Sequence, residues 1–125
     1  MKKIILDTNF LLIPGELKVD IFSEIDRIMD ESYQLYILDK TIDELNNIIQ
    51  NQKSKHRLAA NIAKELIKDY KIKIIKTETD DYVDNQLLKQ KDAIIATQDK
   101  DLKTKLKTQK TPVIELRQKK YLKRA

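Results

Sequence analysis

The sequence contains no cysteine and no tryptophan, a single histidine, a single glycine and two prolines in 125 residues. Without cysteine there can be no disulfide scaffold, no thiolate zinc site and no cysteine nucleophile. That absence fits the cytosol, so a cytoplasmic protein is expected. The lone glycine, Gly15, excludes a Gly-rich phosphate loop or a dinucleotide fingerprint after the first strand. A nucleotide-cofactor enzyme of the usual kind is excluded with them. The lone histidine, His56, sits near the start of a charged helical stretch and reads as a surface residue rather than as part of a nucleophilic triad. No apolar run approaches the roughly 20 residues that span a bilayer, so no membrane partner is expected. After Met1-Lys2-Lys3 only three apolar residues precede Asp7, too few for a signal-peptide core.

Charge, by contrast, is plentiful. The chain carries 25 basic and 20 acidic residues, a net charge of +5. Arg117, Lys119, Lys120, Lys123 and Arg124 all fall in the last nine residues, which hold no acid, so residues 1–116 are neutral overall. The sequence thus divides into a body, residues 1–116, and a basic tail, residues 117–125. Such a tail either contacts nucleic-acid phosphate, with Arg117, Lys119 and Lys120 as the leading candidates, or frays into solvent. Tyr33, Tyr36, Tyr70, Tyr82 and Tyr121 read as core and interface residues rather than base-stacking platforms.

Periodicity predicts alternating strands and helices. Ile4-Ile5-Leu6 is a short apolar run suited to a strand buried on both faces. Further strands are expected at Tyr33–Leu38, Ile72–Ile75, Ala93–Ala96 and Pro112–Leu116. Pro14-Gly15 is expected to punctuate the stretch after the first strand. Asp20 is a candidate N-cap for a helix reaching about Met29. Thr41-Ile42-Asp43-Glu44 has the form of a capping box. A long helix from Ser54 to Tyr70 carries the stripe Leu58, Ala59, Ile62, Ala63, Leu66, Ile67 and Tyr70. Thr79-Asp80-Asp81 is expected to cap a short helix containing Val83, Leu87 and Leu88, and Asp99 starts a helix to Lys107. This order predicts an α/β fold, a mainly parallel five-stranded sheet with helices on both faces.

In that arrangement four acidic positions reach one edge. Asp7 ends the first strand, Glu44 lies in the helix after the second, Asp84 in the helix after the third, and Asp99, with Asp101, follows the fourth. This is the edge where open α/β sheets place their chemistry. Crowded carboxylates repel and raise one another's pKa values unless a cation neutralises them. An oxygen-only donor set suits hard cations, Mg²⁺ or Mn²⁺. Such ions activate water and stabilise charge on phosphate, so phosphodiester hydrolysis uses these parts best. Each acid also has a plainer reading. Asp7, Asp80 and Asp99 can be N-caps, Glu44 half of a capping box, Asp84 part of a solvated helix face, and Asp101 a first-turn residue favoured by the helix dipole.

Ile4-Ile5-Leu6-Asp7-Thr8-Asn9, Thr41-Ile42-Asp43-Glu44-Leu45, Val83-Asp84-Asn85-Gln86-Leu87-Leu88 and Ile95-Ala96-Thr97-Gln98-Asp99-Lys100-Asp101-Leu102 together resemble the PIN-domain ribonucleases. Thr111-Pro112-Val113-Ile114-Glu115-Leu116-Arg117 resembles the last strand of that family. The resemblance covers essentially the whole chain. It implies a three-layer α/β/α sandwich and a metal-dependent endoribonuclease site. Asp7, Glu44, Asp84 and Asp99 match the four acidic positions, Asp84 being preferred to Asp80 and Asp81 on the spacing of its apolar neighbours. Thr97 matches the family's Ser/Thr near the fourth acid, Thr8 and Asn9 its small polar residues after the first, and Asp101 an extra acid of some members. Two branches fit, the VapC-like toxins and the ribosomal RNA-processing endonucleases. They imply RNA as substrate and an antitoxin, a ribosome-assembly factor or a second copy as partner. From other classes, a non-catalytic RNA- or partner-binding module and a hydrolase of small phosphate esters compete.

Overall fold

The computed structural model describes residues 1–77 and 81–125. Among them, one sheet holds β1 (Lys2–Leu6), β2 (Tyr33–Leu38), β3 (Lys73–Ile75), β4 (Ala93–Ala96), β5 (Val113–Arg117) and β6 (Tyr121–Arg124). The strand order is β3-β2-β1-β4-β5-β6. The first five strands are parallel, and β6 returns antiparallel to β5. The central place of β1 follows from its composition. Ile4, Ile5 and Leu6 are fully buried, each contributing roughly 1.5–3 kcal/mol.

Successive residues of a strand face opposite sides, and the core divides accordingly. Ile4, Leu6, Ile37 and Ile94 pack with α1 (Thr8–Leu11), α2 (Ile13–Leu17), α3 (Ile21–Ile28), α4 (Asp39–Asn51) and α5 (Ser54–Asp69). Ile5, Leu38, Ile95 and Val113 pack with α6 (Val83–Lys89) and α7 (Lys100–Thr108) on the other face. The result is the expected three-layer sandwich, with six strands in place of the expected five.

The sixth strand comes from the basic tail. Leu122 is buried among β5 and α3 side chains. Its backbone is held on both sides: the Leu122 N–H donates to Glu24 Oε1 at 3.0 Å, and Arg27 Nη2 donates to the Leu122 carbonyl at 2.9 Å. Glu24 and Arg27 lie one turn apart on α3 and also pair with each other. The Arg27 guanidinium first, and then the Leu122 N–H, hold the Glu24 carboxyl below its usual range. A charge count could not reveal this clamp, because its key contact is a single apolar residue between lysines and arginines.

The β5–β6 turn closes with the Lys120 N–H donating to the Arg117 carbonyl at 3.0 Å. Gln118 and Lys119 there adopt left-handed φ values of 53° and 55°, a conformation costly for residues with a Cβ. Lys119→Gly is therefore expected to raise stability by about 1 kcal/mol, read as a shift of the urea midpoint at constant m-value. An unchanged or lower midpoint would show that the turn is not strained as its backbone implies.

Other local expectations are displaced. Pro14 and Gly15 do not interrupt the chain but lie within α2, the proline in its first turn. The helix after β2 begins at Asp39, before the anticipated capping box, with Leu38 as N-cap and no side-chain cap bond. Thr41 is thus a helix-interior residue. Asp39 instead accepts from the Lys40 N–H at 2.8 Å and from the Thr77 hydroxyl at 2.8 Å, tying the loop after β3 to this helix. Along α5 and its C-cap, Leu58 and Tyr70 are exposed, and Ala60 takes a buried place. Tyr70 stacks on Phe22 with ring centroids 3.9 Å apart. The expected cap at Thr79 and Asp80 lies outside the described residues.

Candidate active site

Leu6 pairs with Ala96, and Ala96 with Ile114, so the ends of β1, β4 and β5 lie level. The Asp7 N–H continues the ladder to the Ala96 carbonyl at 2.9 Å. Asp7 then caps α1, its Oδ1 accepting from the Thr8 N–H at 2.8 Å. Its Oδ2 accepts from the Thr97 hydroxyl at 2.6 Å. The Thr97 hydroxyl oxygen in turn accepts from the Asp99 N–H at 3.1 Å. Asp99 caps α7, accepting from the Leu102 N–H at 3.0 Å. The capping and site readings of Asp7 and Asp99 are thus compatible. The cap orients each side chain at the sheet edge.

A second arm runs to α4. The Thr8 hydroxyl donates to Glu44 Oε1 and shares a 3.0 Å hydrogen bond with the fully buried Thr41 hydroxyl. Asn9 links the β1 and β4 ends. Its Oδ1 accepts from the Gln98 N–H at 3.3 Å, and its carbonyl accepts from Gln98 Nε2 at 3.0 Å. Thr41 and Gln98 were not singled out by sequence reading. Thr41 was obscured by its resemblance to a cap, whereas its helical spacing of three from Glu44 is the signal that places both on one face.

Asp7 is only 5% exposed. Burial raises its carboxyl to about 6, hydrogen bonds from Thr97 and Thr8 oppose the rise, and the charges of Asp84 and Glu44 add to it. Burial, followed by the neighbouring Asp99 carboxylate, raises Asp84, and the Lys105 ammonium draws it back. Asp7, Glu44, Asp84 and Asp99 are thereby linked electrostatically around one edge. Asp101 stands apart, exposed on the first turn of α7. Among the described residues, no three Asp, Glu, His or Cys side chains are gathered closely enough to hold a metal ion. The four acids are neighbours in charge without forming a closed cage.

A hollow of about 290 Å³ opens at this edge, with Asp7, Thr8, Asn9 and Glu44 on its polar side and Leu12, Ile48 and Val83 on its apolar side. A larger hollow of about 760 Å³ lies elsewhere, at the start of β4 beside Lys2, Lys91 and Lys110. It shares no residue with the acidic edge. Arg117 ends β5 with Nη1 3.8 Å from Glu115 Oε1, and Lys119 and Lys120 lie exposed in the following turn. Because β5 is parallel to β4, that turn projects from the same edge of the sheet as the acids. His56 lies at the start of α5, half-exposed, its Nδ1 3.8 Å from Glu16 Oε1.

Residues 4–119 match the family described as PIN like domain. The chain belongs to that family. It is 36% identical over 124 residues to Ribonuclease VapC4 of Methanocaldococcus jannaschii, with 97% of this chain and 95% of the relative covered. The solved structure of the PIN domain endonuclease Utp24 superposes with a TM-score of 0.77, covering 98% of this chain and 90% of that one. At 22% identity the latter is a likeness of fold. The PIN-like sandwich accounts for the sheet order and for the level strand ends that carry Asp7 and Thr97. Among the described residues no helix is long and apolar enough to cross a membrane.

Proposed function

We propose that this PIN-like protein is a metal-dependent endoribonuclease of the VapC-like toxin type. The observation that carries the reading is the buried Asp7 carboxyl, raised to about 6 and electrostatically linked to Glu44 and Asp84. Buried carboxyls with raised pKa values that line a hollow beside other acids cluster at functional sites. Asp7, Glu44, Asp84 and Asp99 present oxygen donors alone, which fits Mg²⁺ or Mn²⁺. Asp101 would join them as an outlying acid. Bound there, the cation would supply a lowered pKa for attacking water and offset the charge of the phosphate.

The remaining work falls to the chain. Thr97 and the Thr8 backbone aim the two oxygens of Asp7. Thr8 and Thr41 steady Glu44. Asp84, raised by burial and by the neighbouring Asp99 carboxylate, is the acid that gains from a cation placed between the two. Arg117, Lys119 and Lys120, projecting from the same edge, would take RNA phosphates. The similarity to a named VapC ribonuclease over nearly the whole chain supports the toxin branch, with an antitoxin as partner, over ribosomal RNA processing.

The test is cleavage of a labelled single-stranded RNA with Mn²⁺, with Mg²⁺ and with EDTA. Cleavage is expected with either ion and not with EDTA, and cleavage of a circular RNA would establish internal scission. Induced expression should slow growth of the host, and Asp7→Asn should not. Unimpaired cleavage in EDTA would overturn the metal reading. The competing reading, a non-catalytic RNA-binding module, draws on the absence of a closed three-carboxylate cage among the described residues. It requires RNA affinity without divalent-ion binding in a calorimetric titration.

A further inference from the structure

We infer that Leu12, Ile48, Gln52 and His56 form a nucleobase subsite beside the acidic edge, holding one base of the RNA strand close to the bond being cut. The inference rests on the endoribonuclease reading for its substrate and on geometry of its own for its place. These four side chains line a hollow of about 250 Å³. Leu12 and Ile48 also wall the hollow that contains Asp7 and Glu44, so the two hollows adjoin across a shared apolar partition.

Helix geometry sets the direction. Glu44, Ile48 and Gln52 are spaced by four residues along α4 and its C-cap, so they fall in one row on one face. From Glu44 to Gln52 is eight residues, about 12 Å along the axis at about 1.5 Å each. That is a span of the order of two nucleotides of extended strand. A strand whose phosphate lies at the carboxylates therefore passes this second hollow within a nucleotide or two.

The chemistry of the lining matches a base and not a phosphate. Leu12 and Ile48 offer an apolar floor for an aromatic face. Gln52 offers an amide able to donate to and accept from a Watson–Crick edge. His56 offers a flat ring of the kind on which unpaired bases stack. Its Nδ1 stands 3.8 Å from the Glu16 carboxylate, so the ring lies beside α2. An acidic neighbour also discourages a phosphate from the same place. A peptide side chain could enter an apolar hollow too, but a ring, an amide and an apolar floor beside a phosphodiester-cutting edge favour a base.

The test uses the full chain and a set of short single-stranded RNAs. Each carries one abasic residue at a defined position within three nucleotides of the cleaved bond. Affinity is read by fluorescence anisotropy in EDTA and cleavage by kcat/KM with Mn²⁺. Removing the base at one position is expected to weaken both by at least about 5-fold, the lower end of base–aromatic stacking. His56→Ala should bring the ratio between intact and abasic RNA at that position close to one, and His56→Phe should restore most of it. Melting temperatures of both variants should match the parent, separating recognition from folding. If cleavage occurs but no position shows base dependence, or if His56→Ala leaves that dependence intact, the subsite is overturned and the nuclease reading stands. If base-dependent binding is lost in His56→Ala while no RNA is cut, the subsite stands and the nuclease reading fails. Neither binding nor cleavage would overturn both.

Discussion

Asp7→Asn is expected to lower RNA cleavage by at least about 10³-fold while making the metal-free protein more stable at pH 7. Loss of activity follows from removing a carboxylate proposed to hold the cation, whose charge stabilisation amounts to several kcal/mol at 1.36 kcal/mol per decade of rate. The gain in stability follows from burial. The Asp7 carboxyl titrates at about 6 in the folded chain against 3.8 in an ordinary one. The folded state therefore binds the proton more tightly than the unfolded state does. Stability from this group is fully present below about pH 3.8 and is lost as pH rises through 6. The loss at pH 7 is about 3 kcal/mol.

Asparagine carries no charge to desolvate, so it avoids this loss. With asparagine standing in for the protonated carboxyl, the net gain in EDTA is thus about 3 kcal/mol at pH 7 and vanishes at pH 3. Chemical denaturation of parent and variant at both pH values measures it. A variant less stable than the parent at pH 7 would show that Asp7 is a structural cap first. A variant that still cleaves would remove it from the site.

Gly15→Ala should destabilise the protein although alanine is the better helix former. Gly15 lies in α2, and an added Cβ would stand 2.6 Å from the Ala59 Cα and 2.9 Å from the Ala59 Cβ of α5. A backbone atom cannot turn aside as a flexible side chain can. The two helices must separate, and α5 carries Ala59, Ala60 and Ala63 into the core. Overpacking of this kind costs about 1–3 kcal/mol, more than the roughly 1 kcal/mol of helix propensity gained. The expected result is a lower denaturation midpoint, with Gly15→Val worse than Gly15→Ala. A Gly15→Ala protein as stable as the parent would mean that α2 and α5 are not tightly docked. Because α2 also carries Glu16, which lies 3.8 Å from His56, a shift of α2 should also weaken RNA recognition.

The sequence by itself determined the layered α/β fold and the common edge of the acids. Ile4-Ile5-Leu6 and Ala93–Ala96 are short and apolar throughout, which only a strand covered on both faces accommodates. Once the strands are parallel, Asp7, Glu44, Asp84 and Asp99 fall at one end whatever the details. Thr97 and Thr8 stand out in the sequence only through the resemblance to the PIN-domain ribonucleases, and the fold adds their hydrogen bonds to Asp7 and Glu44.

What the tertiary structure alone decided is what depends on partners distant in sequence. The tail reads as solvated charge until Glu24 and Arg27, nearly a hundred residues earlier, bind the Leu122 backbone and make it a strand. Gly15 reads as a chain breaker until Ala59 is found against it. Thr41 reads as a helix cap until the Thr8 hydroxyl meets it across 33 residues of chain. His56 is exposed, as its place in a charged helix implies, but only the fold shows Leu12, Ile48 and Gln52 around the same hollow. Periodicity reports which side of an element is buried, because it arises from local geometry. It does not report what lies opposite, because that is set by how elements pack, and there this protein places its clamp, its close helix contact and the proposed base subsite.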